Sequence, residues 1–313
     1  MAPQKVTPLK VGLLIVAFAY FLFNLHSVFN LAWVGEWNRL TTNSAASFDI
    51  YITDVSAFIG MVPRFIAGII AVSAAIYYTV KGTASINRIF IILKAILVLE
   101  AIYWFGLVTT AAVEIRGLII SPFHTSITHV IVSVMSGALP NFVESVIFPI
   151  VLLILAFKLN PNKPSTNIKW SLITGTLLLF VFWLTNMSLW FSIVSFRGWS
   201  GITNYPINVL SFVLTVFGLL ALSIFSIGFT VSSIRAKPFA KLNLKVAGVM
   251  ITLLGLYFLW EYLSWIFFGG NYLWSDWYAW FLGHNLDLWI LSLPMLGIPL
   301  LFASRSNEEN SSS

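Results

Sequence analysis

Residues 207–234 read INVLSFVLTVFGLLALSIFSIGFTVSSI, and none of them is charged. Arg235, Lys237, Lys241 and Lys245 follow at once. A helix needs about 20 consecutive apolar residues to span the hydrocarbon core of a bilayer, so this stretch is long enough to cross. The basic cluster behind it marks the cytoplasmic side, where short loops keep their Lys and Arg. This one stretch therefore sets the expectation for the chain: helices with lipid as their main solvent.

Seven more runs of the same kind lie near residues 11–34, 55–80, 89–113, 137–158, 170–196, 246–269 and 286–303. The loops between them alternate in charge. One set holds Lys5 and Lys10; Lys81 and Arg88; Lys158, Lys163 and Lys169; Arg235, Lys237, Lys241 and Lys245; and Arg305. The other set holds Arg39, Arg116 and Arg197 alone. The alternation has no exception, so both termini are expected in the cytoplasm. The expected fold class is all-α: a polytopic transmembrane helical bundle of about eight spans in a prokaryotic plasma membrane. Residues 1–306 form its single domain, and 307–313 are a polar, disordered cytoplasmic tail.

Composition points the same way. Of 313 residues, 59% are hydrophobic and 9% charged, with a mean hydropathy of +0.92; soluble domains carry about 25% charged residues. The absence of cysteine excludes disulfides, thiolate catalysis, iron–sulfur clusters and Cys-based zinc sites. The first apolar run is too long for a signal peptide and lacks a small-residue cleavage site. The net charge of +6 lies mainly in the inner loops, where lipid headgroups account for it without nucleic acid.

Residues 114–136 are semi-apolar and contain Pro122, His124 and His129. They are expected to form an outer interfacial segment leading into a long fourth helix bent at Pro140 and Pro149. A separate span over 124–140 would instead move the basic loop 158–169 outside.

The halves 1–160 and 161–306 share a pattern. Asn24 and Trp37 recur as Asn186 and Trp199, Glu100 and Trp104 as Glu261 and Trp265, and His124, Met135 and Gly137 as His284, Met295 and Gly297. A four-plus-four tandem repeat of parallel orientation would produce this, as would coincidence in a Trp-rich chain.

Ionisable residues inside a membrane are costly and face the bundle interior or a wet cavity. At roughly 1.5 Å per residue, His26, Glu144 and Glu261 lie roughly 10–12 Å below the outer surface. Arg64, Asn24 and Asn186 lie roughly 13–15 Å down and Glu100 roughly 20 Å down. Arg64, Glu100, Glu144, Glu261, Asn24 and Asn186 are therefore the candidate buried polar core. Three glutamates against one arginine imply that some carboxyls are protonated or hold a cation. Lys94, near the inner end, can snorkel to the surface.

His26, His124, His129 and His284 all fall on the outer side, as do most tryptophans, and they are the candidate metal or haem ligands. The segment Trp280-Phe-Leu-Gly-His284, followed by Ile290-Leu-Ser-Leu-Pro294, resembles the sixth helix of haem–copper oxidase subunit I. There a Phe-Gly-His turn opens a helix, Leu-Pro follows, and the histidine binds copper. The resemblance covers about 15 of 313 residues. The His-to-Pro spacing differs by one, Asn285-Leu-Asp-Leu288 stands where the family has Pro-Glu-Val-Tyr, and the family's later histidines have no counterpart. The resemblance implies His284 as a candidate copper ligand and does not assign the chain to the family.

Three functions are compatible with these residues. The first is a membrane subunit of a redox complex holding quinol, haem or copper, or anchoring an extracytoplasmic electron carrier. The second is a proton- or cation-coupled secondary transporter, against which stand inner span halves that read as almost wholly apolar apart from Lys94 and scattered Ser and Thr. The third is a non-catalytic scaffold assembling with other membrane subunits.

Overall fold

The computed structural model describes residues 7–33, 48–81, 86–120, 131, 134–135, 139–203, 206–235, 241–268 and 292–303. Within them the chain is helical. In order come α1 (Pro8–Trp33), α2 (Phe48–Lys81), α3 (Ile86–Ile120), α4 (Leu139–Lys158), α5 (Pro164–Arg197) and a short α6 (Ser200–Thr203). Then α7 (Pro206–Val213) passes through a π turn (Leu214–Gly218) into α8 (Leu219–Arg235), followed by α9 (Lys241–Phe268) and α10 (Pro294–Ala303).

Six of these stretches are long and apolar enough to cross a membrane: Pro8–Leu25, Gly60–Val80, Asn87–Val113, Leu139–Lys158, Lys169–Ser188 and Asn208–Ile234. They mark a multi-pass membrane protein. In α9, which has 28 residues, the described apolar stretch covers Lys245–Trp260. α10 has ten residues, about 15 Å of helix, or half a hydrocarbon core. Residues 286–291 of the expected eighth run lie outside the described residues.

Of the expected outer segment, residues 114–120 continue α3, and 121–130, 132–133 and 136–138 lie outside the described residues. α4 starts at Leu139 and has 20 residues, so Pro140 sits in its first turn, where a missing N–H costs nothing, and only Pro149 lies in its interior.

Burial is inverted relative to a soluble bundle. On α8, Ile224, Phe225, Ile227, Val231 and Ile234 are exposed, whereas Ser223, Ser226, Thr230 and Ser233 are buried. Lipid contact does not repel apolar side chains, so helix pairing in a membrane depends on close packing and hydrogen bonds. Small residues provide the packing. Gly60, Ala67, Gly68 and Ala75 form one buried face of α2. A Cβ on Gly60 would stand 3.1 Å from the Tyr103 carbonyl of α3, and one on Gly68 would stand 3.2 Å from Phe21 Cα of α1. Between α4 and α5, Asn167 clamps the turn: it accepts from Asn160 N at 2.7 Å and donates to Asn160 O at 2.6 Å.

Each long helix packs mainly on its sequence neighbours: α1 on α2, α2 on α3, α3 on α4, α4 on α5, α5 on α8, and α9 on α10. α9 meets α7 and α8 more sparingly, and α10 returns to α1. The order of contacts thus closes on itself. Glycines make the closure: a Cβ on Gly12 would overlap the Met295 carbonyl, and one on Gly248 would stand 2.8 Å from the Gly297 carbonyl.

Candidate functional site

Three helices meet at Glu100. Arg64 of α2 donates from Nε to Glu100 Oε1 at 3.1 Å, and the two side chains are 7% and 15% exposed. Tyr20 of α1 donates its hydroxyl to the same carboxylate oxygen. The Arg64 guanidinium lies 4.2 Å from the centre of the Tyr103 ring and 5.5 Å from that of Phe23. A charge-assisted hydrogen bond and two ring faces thus surround one cation in a buried interface. The close backbone approach at Gly60 and Gly68 makes the reach short enough. Arg64 and Glu100 differ by about one helical turn in expected depth, which the length of an arginine covers.

Asn24 lies at the same level. Contacts between Lys10 and Tyr78, Phe21 and Phe65, and Phe23 and Arg64 set the antiparallel register of α1 and α2. That register puts Asn24 opposite Arg64. Asn24 is 2% exposed.

Glu144 is held elsewhere. It hydrogen-bonds Thr185 of α5, and that Thr185 hydroxyl also lies 2.9 Å from the Phe182 carbonyl. Asn186 turns its amide back onto its own helix, donating to Phe182 O at 2.8 Å. Of the expected polar core, Arg64 and Glu100 are joined with Asn24 buried on α1, while Glu144 and Asn186 make hydrogen bonds to α5. An aromatic contact links the regions, with Trp104 of α3 against Phe148 of α4 at 4.6 Å. Glu261 belongs to α9 and His26 to α1, but their side chains lie outside the described residues, as do His124, His129 and His284 entirely. Among the described residues no three His, Asp or Glu side chains could share a metal.

A second polar feature gives order to Ser and Thr that look scattered in the sequence. Ser211, Thr215, Ser223, Ser226, Thr230 and Ser233 recur every three, four or eight residues and are all buried. They form one face of α7, the π turn and α8. Thr176 of α5 lies 2.6 Å from Ser226 Oγ and 2.8 Å from Thr230 Oγ1. Tyr257 and Trp260 of α9 reach Thr215 at 2.9 Å and Ser211 at 3.1 Å. Between these two groups the face is apolar: Val216 and Leu219 are buried, and Val216 packs with Trp190 and Ile202. The π turn interrupts the ordinary i→i−4 ladder here, and the Trp183 indole donates to the Val216 carbonyl at 3.1 Å. Helical spacing of Ser and Thr within 207–234 was the signal that could have revealed this face.

No protein family, curated protein or solved structure matches this chain.

Proposed function

We propose that the chain is a proton- or cation-coupled secondary transporter, crossing the membrane eight times with both ends in the cytoplasm. The observation that carries this reading is the hydroxyl face of α7, the π turn and α8. It removes the main objection to transport, because Ser223, Ser226, Thr230 and Ser233 line the half of that span nearest the basic loop. Alternating access requires polar half-pathways separated by a gate. The apolar interval at Val216 and Leu219 fits a gate, and π turns inside α-helices are frequent at functional sites.

The carboxyls fit coupling. Glu100 has Arg64 as counter-charge. Thr185 has one hydroxyl hydrogen for two acceptors, Glu144 and Phe182 O. If Glu144 carries a proton, it donates to Thr185, which donates to Phe182, and the Thr185 hydroxyl then meets both groups. A carboxyl that alternates between this protonated arrangement and an ionised one is a means of coupling proton movement to shape.

The test is current measurement on proteoliposomes adsorbed to a solid support. Concentration jumps of metal cations, amino acids, sugars and organic acids would be applied at two pH values. At least one class is expected to give a pH-dependent transient current absent from empty liposomes. Silence across the panel would overturn the reading. An absorbance spectrum and metal analysis run beside it: a haem band or stoichiometric copper would favour the redox subunit instead.

A further inference from the structure

Asn24 is buried within the membrane-spanning part of α1, yet neither Nδ2 nor Oδ1 has a hydrogen-bond partner among the described residues. An asparagine inside a helix has an easy remedy, donating to the carbonyl four residues back. Asn186 does this; Asn24 does not. Its amide turns instead toward α2, where a Cβ on Gly68 would stand 3.4 Å from Nδ2. A buried amide left unmet in both its donor and its acceptor loses the hydrogen bonds it had in water, and native interiors rarely tolerate this.

The missing partner must both donate and accept. It must also tolerate the Arg64–Glu100 pair at the same level, shown by the register of α1 on α2 and by the 3.1 Å bond. A metal cation would face the Arg64 guanidinium. An anion would face the Glu100 carboxylate. A small neutral molecule that donates and accepts meets neither objection, and water is the one available everywhere. Buried waters occupy such positions, joining about three polar groups each.

We propose that Asn24 holds a buried water molecule at the level of the Arg64–Glu100 pair, making this three-helix junction a wet point inside hydrocarbon. The site does not depend on the transport reading and would exist in a redox subunit or a scaffold. Hydroxyl radicals generated by X-rays from bound internal water label the side chains beside it. The full chain in lipid nanodiscs is therefore irradiated and digested, and labelling rates are compared by mass spectrometry. Tyr20 and Phe23 are expected to label several-fold faster than Trp190 of α5, which is equally buried but packs on Ile202 and Val216. Asn24→Leu is expected to remove the excess, and Asn24→Ser, which keeps a polar group and leaves room, to retain it. Wild-type Tyr20 and Phe23 labelling no faster than Trp190 would overturn the proposal, even if the leucine variant failed to fold. So would an excess that survives Asn24→Leu.

Discussion

Glu100 and Glu144 are the same residue in the same solvent, but their partners give them opposite sensitivities. Removing Arg64 alone leaves a buried carboxylate without its counter-charge, at a cost of about 3–5 kcal/mol. Replacing both partners removes that penalty. Arg64→Met is therefore expected to lower the unfolding midpoint in detergent sharply, and Arg64→Met/Glu100→Met to recover most of the loss. Glu144→Gln should behave differently. Its amide can donate to Thr185 as a protonated carboxyl would, so unfolding should be near wild type while pH-dependent current is lost. Current that survives would remove Glu144 from the coupling role. At this scale the sequence showed which residues were expensive to bury, because charge in an apolar run is visible in one dimension. It did not show which would pair. Tyr20 went unnoticed because one tyrosine among 10 Tyr and 27 Phe carries no distinguishing pattern.

Helix pairing rests on surfaces without side chains and on hydroxyls. A Cβ on Gly297 would overlap Thr252 Oγ1 and stand 2.8 Å from the Gly248 carbonyl. Gly297→Ala is expected to destabilise by about 1–3 kcal/mol through overpacking. Gly175, in α5, would meet nothing within 4 Å, so Gly175→Ala should stabilise by about 0.5–1 kcal/mol through helix propensity. Thermal unfolding of the two variants in one detergent checks the difference in sign. Thr176→Val should cost about 1 kcal/mol, since Ser226 and Thr230 can turn to carbonyls of their own helix. Hydropathy located the cores of the spans, but helix ends escaped it. α2 and α3 continue past the apolar runs at 55 and 113 because helical hydrogen bonding does not stop where hydrophobicity does. The π turn was illegible, since Leu214–Gly218 contains no residue that demands it.

For the whole molecule, the charge alternation makes a directional claim that the chain's lack of cysteine makes easy to check. A single cysteine in place of Lys163, between α4 and α5, should react with a membrane-impermeant maleimide only from the cytoplasmic face. One in place of Trp199, just past α5 and 63% exposed, should react only from the opposite face. Labelling of both from one side would remove α5 as a span; the reverse pattern would invert the topology. The membrane class was legible because composition alone excludes a water-facing surface. The closed order of contacts was not, because hydropathy ranks segments without saying which touch.

That closure has a cost in time. The face of α1 at Gly12 is met by Met295 and Leu296 of α10, roughly 280 residues later, which at 5–20 residues per second means about 15–60 s of synthesis. Throughout that interval a backbone-exposing groove stands open to lipid and to any passing helix. A chain truncated before Pro294 should therefore be a better substrate for membrane quality-control proteases than one that keeps Pro294–Ala303.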